Sequence, residues 1–117
     1  MIKSYIQGGT MDKFKTLFIA HTPDADRNKH KCSIETGLYQ LLVRLVRTQE
    51  EAVKVAQSLV AEEGIHSILL CPGFTHEEVA EIQEAVQGKA GVFVARGDSP
   101  SSRITLSVME KIGWFSK

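Results

Sequence analysis

One short polar segment of the chain carries a thiol, a hydroxyl and an imidazole close together. Cys71 ends the nearly all-apolar run 66–71, and Thr75 and His76 stand a few positions further on. A thiol beside a helix N-terminus can have its pKa lowered and become a nucleophile, with His76 or His21 as its base. The alternative is a thiol buried in the core, which is a common fate of cysteine. Cys71, His76 and His21 are therefore candidate catalytic residues, and the sequence does not indicate a reaction.

Two further segments end apolar runs in the same way. His21 closes the run 14–21, Arg96 closes the run 91–96, and Ser99 stands three positions further on. Ligands of parallel α/β sheets bind beyond the carboxyl ends of the strands, where helix N-termini favour negative charge. Thr75 and Ser99 would cap two such helices with or without a ligand, and Arg96 would add a forked cation. The sequence predicts a small anionic ligand bound by Thr75, His76, Arg96, Ser99 and His21.

Metal and cofactor sites have weaker support. The first long loop holds several residue types that bind metals, but it matches no zinc or EF-hand spacing. No metal site is therefore predicted. Neither a dinucleotide fingerprint nor a P-loop is found, so no cofactor is identified.

Apolar runs and helical periodicity define the elements that must position these residues. The sequence predicts strands at 14–21, 38–46, 66–71 and 91–96 and helices at 48–63, 75–87 and 100–112. Thr48 with Glu51 and Thr75 with Glu78 match the capping-box spacing. Gly64 and Gly88 are placed to end the first two helices, and residues 22–33 are expected to form a polar loop.

The alternation of strands and helices predicts an α/β fold with right-handed crossovers. We expect a single-domain three-layer sandwich with a mostly parallel sheet of about four strands and three helices, in the order β-β-α-β-α-β-α. Residues 1–11 are expected to be an N-terminal extension, and residues 12–117 the domain. In the second strand, Tyr39, Leu41, Val43 and Leu45 should form the buried face.

Composition excludes several classes of protein. Acidic and basic residues number 14 each, so no basic excess favours nucleic acid. No apolar run approaches the roughly 20 residues that span a bilayer, so no membrane contact is expected. The N-terminus lacks the apolar region of an export signal. Two cysteines without such a signal indicate thiols in a reducing cytoplasm.

Three segments of the chain carry a family resemblance. FIAHTPDADRNKH, EEGIHSILLCPGFTHEEVAEIQEAV and VFVARGDSPSS together resemble a family of small bacterial proteins known only as a domain of unknown function. The resemblance spans residues 14–114. It implies a bacterial, cytoplasmic, single-domain protein, and it implies no activity, cofactor or catalytic residue.

Two functions of different class remain open. The first is a module that binds a small anion, with or without catalysis, at the carboxyl ends of the strands. The second is a non-catalytic module that associates with itself. Four strands and three helices leave one sheet face poorly covered, and a second copy would cover it. Because two-fold dimers are the commonest assembly, a homodimer is expected.

Overall fold

The structure, a computed structural model, describes residues 13–116. The predicted extension 1–11 lies outside this range. The elements in chain order are β1 (Phe14–His21), β2 (Lys31–Glu35), β3 (Tyr39–Val46), α1 (Gln49–Glu63), β4 (Ser67–Leu70), α2 (His76–Val86), β5 (Gly91–Val94), α3 (Ser101–Lys111) and a 3-10 turn (Trp114–Ser116). Each predicted helix and strand is present, with its ends moved by two residues at most.

The strands form one sheet in the order β2-β3-β1-β4-β5. β3, β1, β4 and β5 run parallel, and β2 joins the edge of the sheet antiparallel to β3. The α/β class and the mostly parallel sheet are therefore confirmed. The sheet has five strands rather than about four.

The additional strand, β2, lies partly in the segment that was expected to be a loop. All five of its side chains are exposed, so burial contributes little to its formation. Its pairing with β3 defines it, through a register that places Lys31 opposite Arg44 and Glu35 opposite Gln40. The hydroxyl of Thr36 accepts the backbone N–H groups of Leu38 and Tyr39 in the turn between the two strands. Edge strands of this kind have a weak sequence signature because few of their side chains pack.

The caps predicted for α1 and α2 differ in one detail. Thr48 accepts the backbone N–H of Glu51 at 3.2 Å, but the Glu51 carboxylate accepts from Arg47 rather than from Thr48. The reciprocal box is therefore incomplete at α1. Gly64 ends this helix with φ of 68°, a left-handed conformation that glycine adopts without a steric penalty.

The main core lies on one face of the sheet, under α1 and α2. Both helices pack against the same buried cluster, which contains Leu17, Ile19, Leu42, Val46, Ala52, Ala56, Ile65, Ile68, Leu70, Phe74, Ile82 and Val86. Two parallel crossovers that move in the same direction along a sheet place their helices on the same side when both are right-handed.

None of the described helices is long and apolar enough to cross a bilayer.

Candidate functional site

The carboxyl ends of β1 and β4 bring His21 and Cys71 together. These strands are parallel neighbours, so both chain exits lie at the same edge of the sheet. The backbone N–H of His21 donates to the Sγ of Cys71 at 3.5 Å. Cys71 is half-buried and packs against the core cluster. This geometry is what a structural thiol would have, and the reactive role of Cys71 stays a prediction.

The imidazole of His21 is held in a partly dry environment. It stacks on Phe74, with ring centroids 4.0 Å apart and planes inclined by 17°. Its Nε2 atom is buried and has no hydrogen-bond partner among the described residues. Burial lowers the pKa of His21 from its ordinary value of 6.5, and the nearby Glu78 carboxylate opposes this shift. The neutral imidazole is therefore favoured in the folded protein.

The lowered pKa of His21 predicts a loss of stability in mild acid. The unfolded chain takes up this proton near pH 6.5, and the folded chain takes it up only at lower pH. Between the two values the unfolded state binds more protons. The free energy of unfolding should therefore fall as the pH drops from 6.5 through the folded pKa, and this contribution should be fully present above pH 6.5. Urea unfolding across this range measures it.

A pair of variants isolates the His21 contribution to this pH dependence. His21→Gln should flatten the part of the curve that this residue causes. Leu38→Gln, which changes an exposed side chain that carries no ionisable group, should leave the curve as it is in the unmodified chain. Equal slopes in the unmodified chain and in His21→Gln would contradict the assignment.

At the start of α2, Thr75 and Glu78 form a complete capping box. The Thr75 hydroxyl accepts the backbone N–H of Glu78 at 3.2 Å, and the Glu78 carboxylate accepts the backbone N–H of Thr75 at 2.9 Å. The predicted box is thus confirmed. Two of the amides expected to face an anion are used within it, and the Glu78 carboxylate adds a negative charge beside them. His76, the next residue, is exposed.

Arg96 and Ser99 lie in the segment between β5 and α3. The Arg96 side chain is 86% exposed, and its Nε donates to the Asp98 carboxylate at 3.2 Å. Ser99 was expected to cap the last helix, and this is wrong: α3 begins at Ser101, its N-cap is Pro100, and no side chain caps it. The other predicted ligand residues are His21 at the end of β1, Thr75 at the end of the loop after β4, and His76 at the start of α2. Binding of an anion by these five residues stays a prediction.

A second surface is the face of the sheet opposite α1 and α2, here called the open face. Paired residues of neighbouring strands share a face, and one row of such pairs crosses all five strands through Cys32, Val43, Phe18, Leu69 and Phe93. The next row adds Ile34 and Leu41. Phe93 is 58% exposed, and Leu69 and Ile34 are exposed as well. The open face is therefore apolar and largely uncovered by the described residues.

The expectation for β3 is reversed on this face. Tyr39, Leu41, Val43 and Leu45 were expected to be its buried side, but all four are only half-buried. Leu42 and Val46, from the mixed side, are the buried residues. The reason is that both packed helices lie over the mixed side. The more apolar side of β3 is thus part of the open face.

The last described helix, α3, is amphipathic and has no extensive contact with the sheet. Ile104, Val108, Met109 and Ile112 follow one another at helical spacing and form its apolar stripe. None of its residues is buried, and Ile104 is 70% exposed. Among the described elements it mainly contacts the 3-10 turn that follows it. The helices and sheet therefore form two packed layers within residues 13–116, and the expected third layer is not closed by α3.

Residue clusters that would hold a metal ion are absent from the described part of the chain. In the loop after β1, the ligand types are engaged in local structure. The Nδ1 of His30 accepts the backbone N–H of Asp26, and the Asp26 carboxylate accepts the backbone N–H of Asn28. These bonds shape the loop rather than a metal site.

Comparison with known proteins identifies a family but no characterised relative. Residues 14–110 match a family described as "Family of unknown function (DUF6506)". No curated protein matches the chain. No solved structure matches it either.

Proposed function

The chain belongs to the DUF6506 family of unknown function, and we propose that it is a self-associating module. In this proposal two copies form a homodimer, and α3 of each copy packs its apolar stripe on the open face of the other. One observation carries the proposal. Within residues 13–116, one face of the sheet is apolar and carries no packed helix, and one amphipathic helix has no buried residue.

The two surfaces match in length. α3 has 11 residues, and at 1.5 Å per residue it is about 16 Å long. Five strands spaced by about 4.8 Å span about 19 Å between the outer strands. The helix is therefore long enough to lie along the row of apolar side chains that crosses the open face from Val43 to Phe93.

The area of the two surfaces suits a stable dimer. An aromatic side chain buries about 150–250 Å² when it is fully covered, and the exposed apolar side chains of the open face and of α3 are of this size or slightly smaller. Two reciprocal contacts would then bury on the order of 1,500 Å², which is the size of a standard protein interface. Monomers rarely keep apolar patches of such extent in water.

Two-fold symmetry supports a second copy as the occupant. In a symmetric dimer the same contact forms twice. The α3 helix of the first copy packs on the open face of the second, and the α3 helix of the second packs on the open face of the first. Such an exchange closes the assembly, so that neither copy keeps a free stripe.

A bacterial and cytoplasmic origin is a further part of this proposal, supported by the resemblance in the sequence and by the two free thiols.

Light scattering on the full chain tests the proposal. At micromolar concentration we expect a molar mass twice the 12.9 kDa of one chain. Val108→Glu should shift the mass to that of a monomer, because it places a charge in the apolar stripe. Glu110→Lys is the control: it changes a charge at an exposed position on the side of α3 opposite the stripe, and it should leave the dimer intact. A monomeric unmodified chain, or equal effects of both variants, would overturn the proposal.

A further inference from the structure

A cleft between α1 and the β2–β3 edge of the sheet is lined by four basic side chains. Arg27, Lys31, Arg44 and Lys54 line it, and its volume is about 360 Å³. We propose that this cleft binds a small phosphorylated molecule with at least two negative charges. The site is separate from the open face and independent of the dimer, because it lies on the side of the sheet that α1 covers.

The charge of the cleft is one-sided in a chain whose total charge is balanced. Acidic and basic residues number 14 each in the sequence, yet the residues that line this cleft include no carboxylate. None of the four cations forms a salt bridge with a carboxylate of residues 13–116. Grouped cations in a concave site raise the local concentration of anions. An anionic ligand would supply the missing partners.

Three separate segments bring these cations together. Lys31 and Arg44 are paired across β2 and β3, so their side chains project from the same face of the sheet. Lys54 comes from α1, and Arg27 comes from the loop after β1. Consecutive lysines along one exposed helix would indicate a solvated surface. Convergence from a strand pair, a helix and a loop is instead typical of a binding site.

Arg44 is the most strongly positioned of the four. It is half-buried on a strand inside the sheet, and its Nη1 donates to the carbonyl of Val43 at 3.0 Å. The remaining N–H groups of its guanidinium have no partner among residues 13–116, which leaves them available to a ligand. A planar guanidinium binds two oxygens of one phosphate at once, and less conformational entropy is lost when it is already held in place.

The loop that carries Arg27 is held by hydrogen bonds at its base. The backbone N–H of Asp26 donates to Nδ1 of His30 at 2.9 Å, and the backbone N–H of His30 donates to the Asp26 carbonyl at 2.8 Å. Arg27 lies inside this closed turn. The loop is therefore structured where it contributes to the cleft.

The other lining residues indicate the rest of the ligand. Val55 and Leu59 give the α1 side of the cleft an apolar part, and Asn28, Gln57 and Ser58 provide uncharged hydrogen-bonding groups. The volume falls in the range of about 300–1,000 Å³ that small-molecule sites have. A phosphorylated molecule with an uncharged portion fits this combination better than a bare inorganic ion does.

Calorimetric titration of the full chain with inorganic pyrophosphate tests the site. We expect saturable binding, and Arg44→Gln should weaken it at least tenfold, since a charge-assisted hydrogen bond is lost. Lys54→Gln, on the surface of α1, tests the cleft without changing a half-buried residue and should also weaken binding. Lys89→Gln removes the same charge after α2, outside the cleft, and should bind pyrophosphate like the unmodified chain.

Three results would overturn the site. The first is pyrophosphate binding no tighter than chloride at equal ionic strength. The second is equal weakening by Lys89→Gln and Lys54→Gln, which would indicate only general attraction to the chain. The third is displacement of pyrophosphate by a single-stranded oligonucleotide at a far lower concentration than a small phosphorylated molecule needs. This result would assign the cleft to a nucleic acid.

Discussion

Phe93→Asp is expected to convert the dimer into a monomer. Phe93 lies in the row of apolar side chains that crosses the open face and is 58% exposed in the single chain. The fold of one copy therefore does not depend on the burial of this ring. In the proposed dimer this ring is covered by α3 of the other copy. A carboxylate placed there would lose its hydration without a partner, which costs several kcal/mol. Sedimentation velocity should show a single species with the mass of one chain.

Leu38→Asp is the matched control for this substitution. Leu38 is 80% exposed in the turn between β2 and β3, outside both the open face and α3. The same change from an apolar side chain to aspartate should leave the dimer in place. Phe93→Asp that stays dimeric, or Leu38→Asp that dissociates equally, would argue against the open face as the contact surface.

Leu17→Ala should cause the largest loss of stability among single changes in the core. Leu17 lies on the central strand β1, is fully buried, and is paired with Leu42 and Ile68 on the face that α1 and α2 cover. Truncation of a buried leucine removes its transfer free energy and leaves a cavity, at a cost of about 2–5 kcal/mol. That is a large part of the 5–15 kcal/mol typical of a domain. Urea unfolding measures the difference.

The same substitution at an exposed leucine provides the reference. Leu38→Ala should change the free energy of unfolding by no more than about 0.5 kcal/mol, as expected for a surface position. A cost below about 1 kcal/mol for Leu17→Ala would mean that this side of the sheet is not the packed core.

The parallel β-α units could be predicted because their signals are local. Thr48 and Thr75 mark the starts of two helices, Gly64 marks the end of one, and a short apolar run follows each helix. These features lie within a few residues of one another, so no long-range contact is needed to identify them. The strand β2 was not predicted because its five side chains are exposed and make few packing contacts. Only its pairing with β3 makes this segment a strand.

The side of the sheet that each residue faces could not be predicted in the same way. Alternation in β3 separates Leu41 and Val43 from Leu42 and Val46, but it does not tell which set the helices cover. That depends on strand order, since both crossovers move in the same direction along the sheet. The apolar stripe of α3 was visible in the sequence, whereas its lack of a packing partner was not.

The candidate site shows the same limit. The cap at Thr75 was predicted from its spacing to Glu78, but the Ser99 cap was not formed because α3 begins at Ser101. The cations of the cleft, from Arg27 to Lys54, are spread over a loop, two strands and a helix. Only the antiparallel pairing of β2 with β3 brings Lys31 to Arg44. Because β2 was not predicted, neither was the cleft.

Mixing two interface variants is the sharpest test of the exchange of α3 between copies. Val108→Glu damages the helix surface and keeps the open face intact, whereas Phe93→Asp does the reverse. In a mixture, α3 of the Phe93→Asp chain can still pack on the open face of the Val108→Glu chain, which restores one of the two contacts. We expect that each variant alone is a monomer and that native mass spectrometry of the mixture shows a heterodimer. A mixture that stays monomeric, with an unmodified chain that forms dimers, would contradict the exchange of the helix.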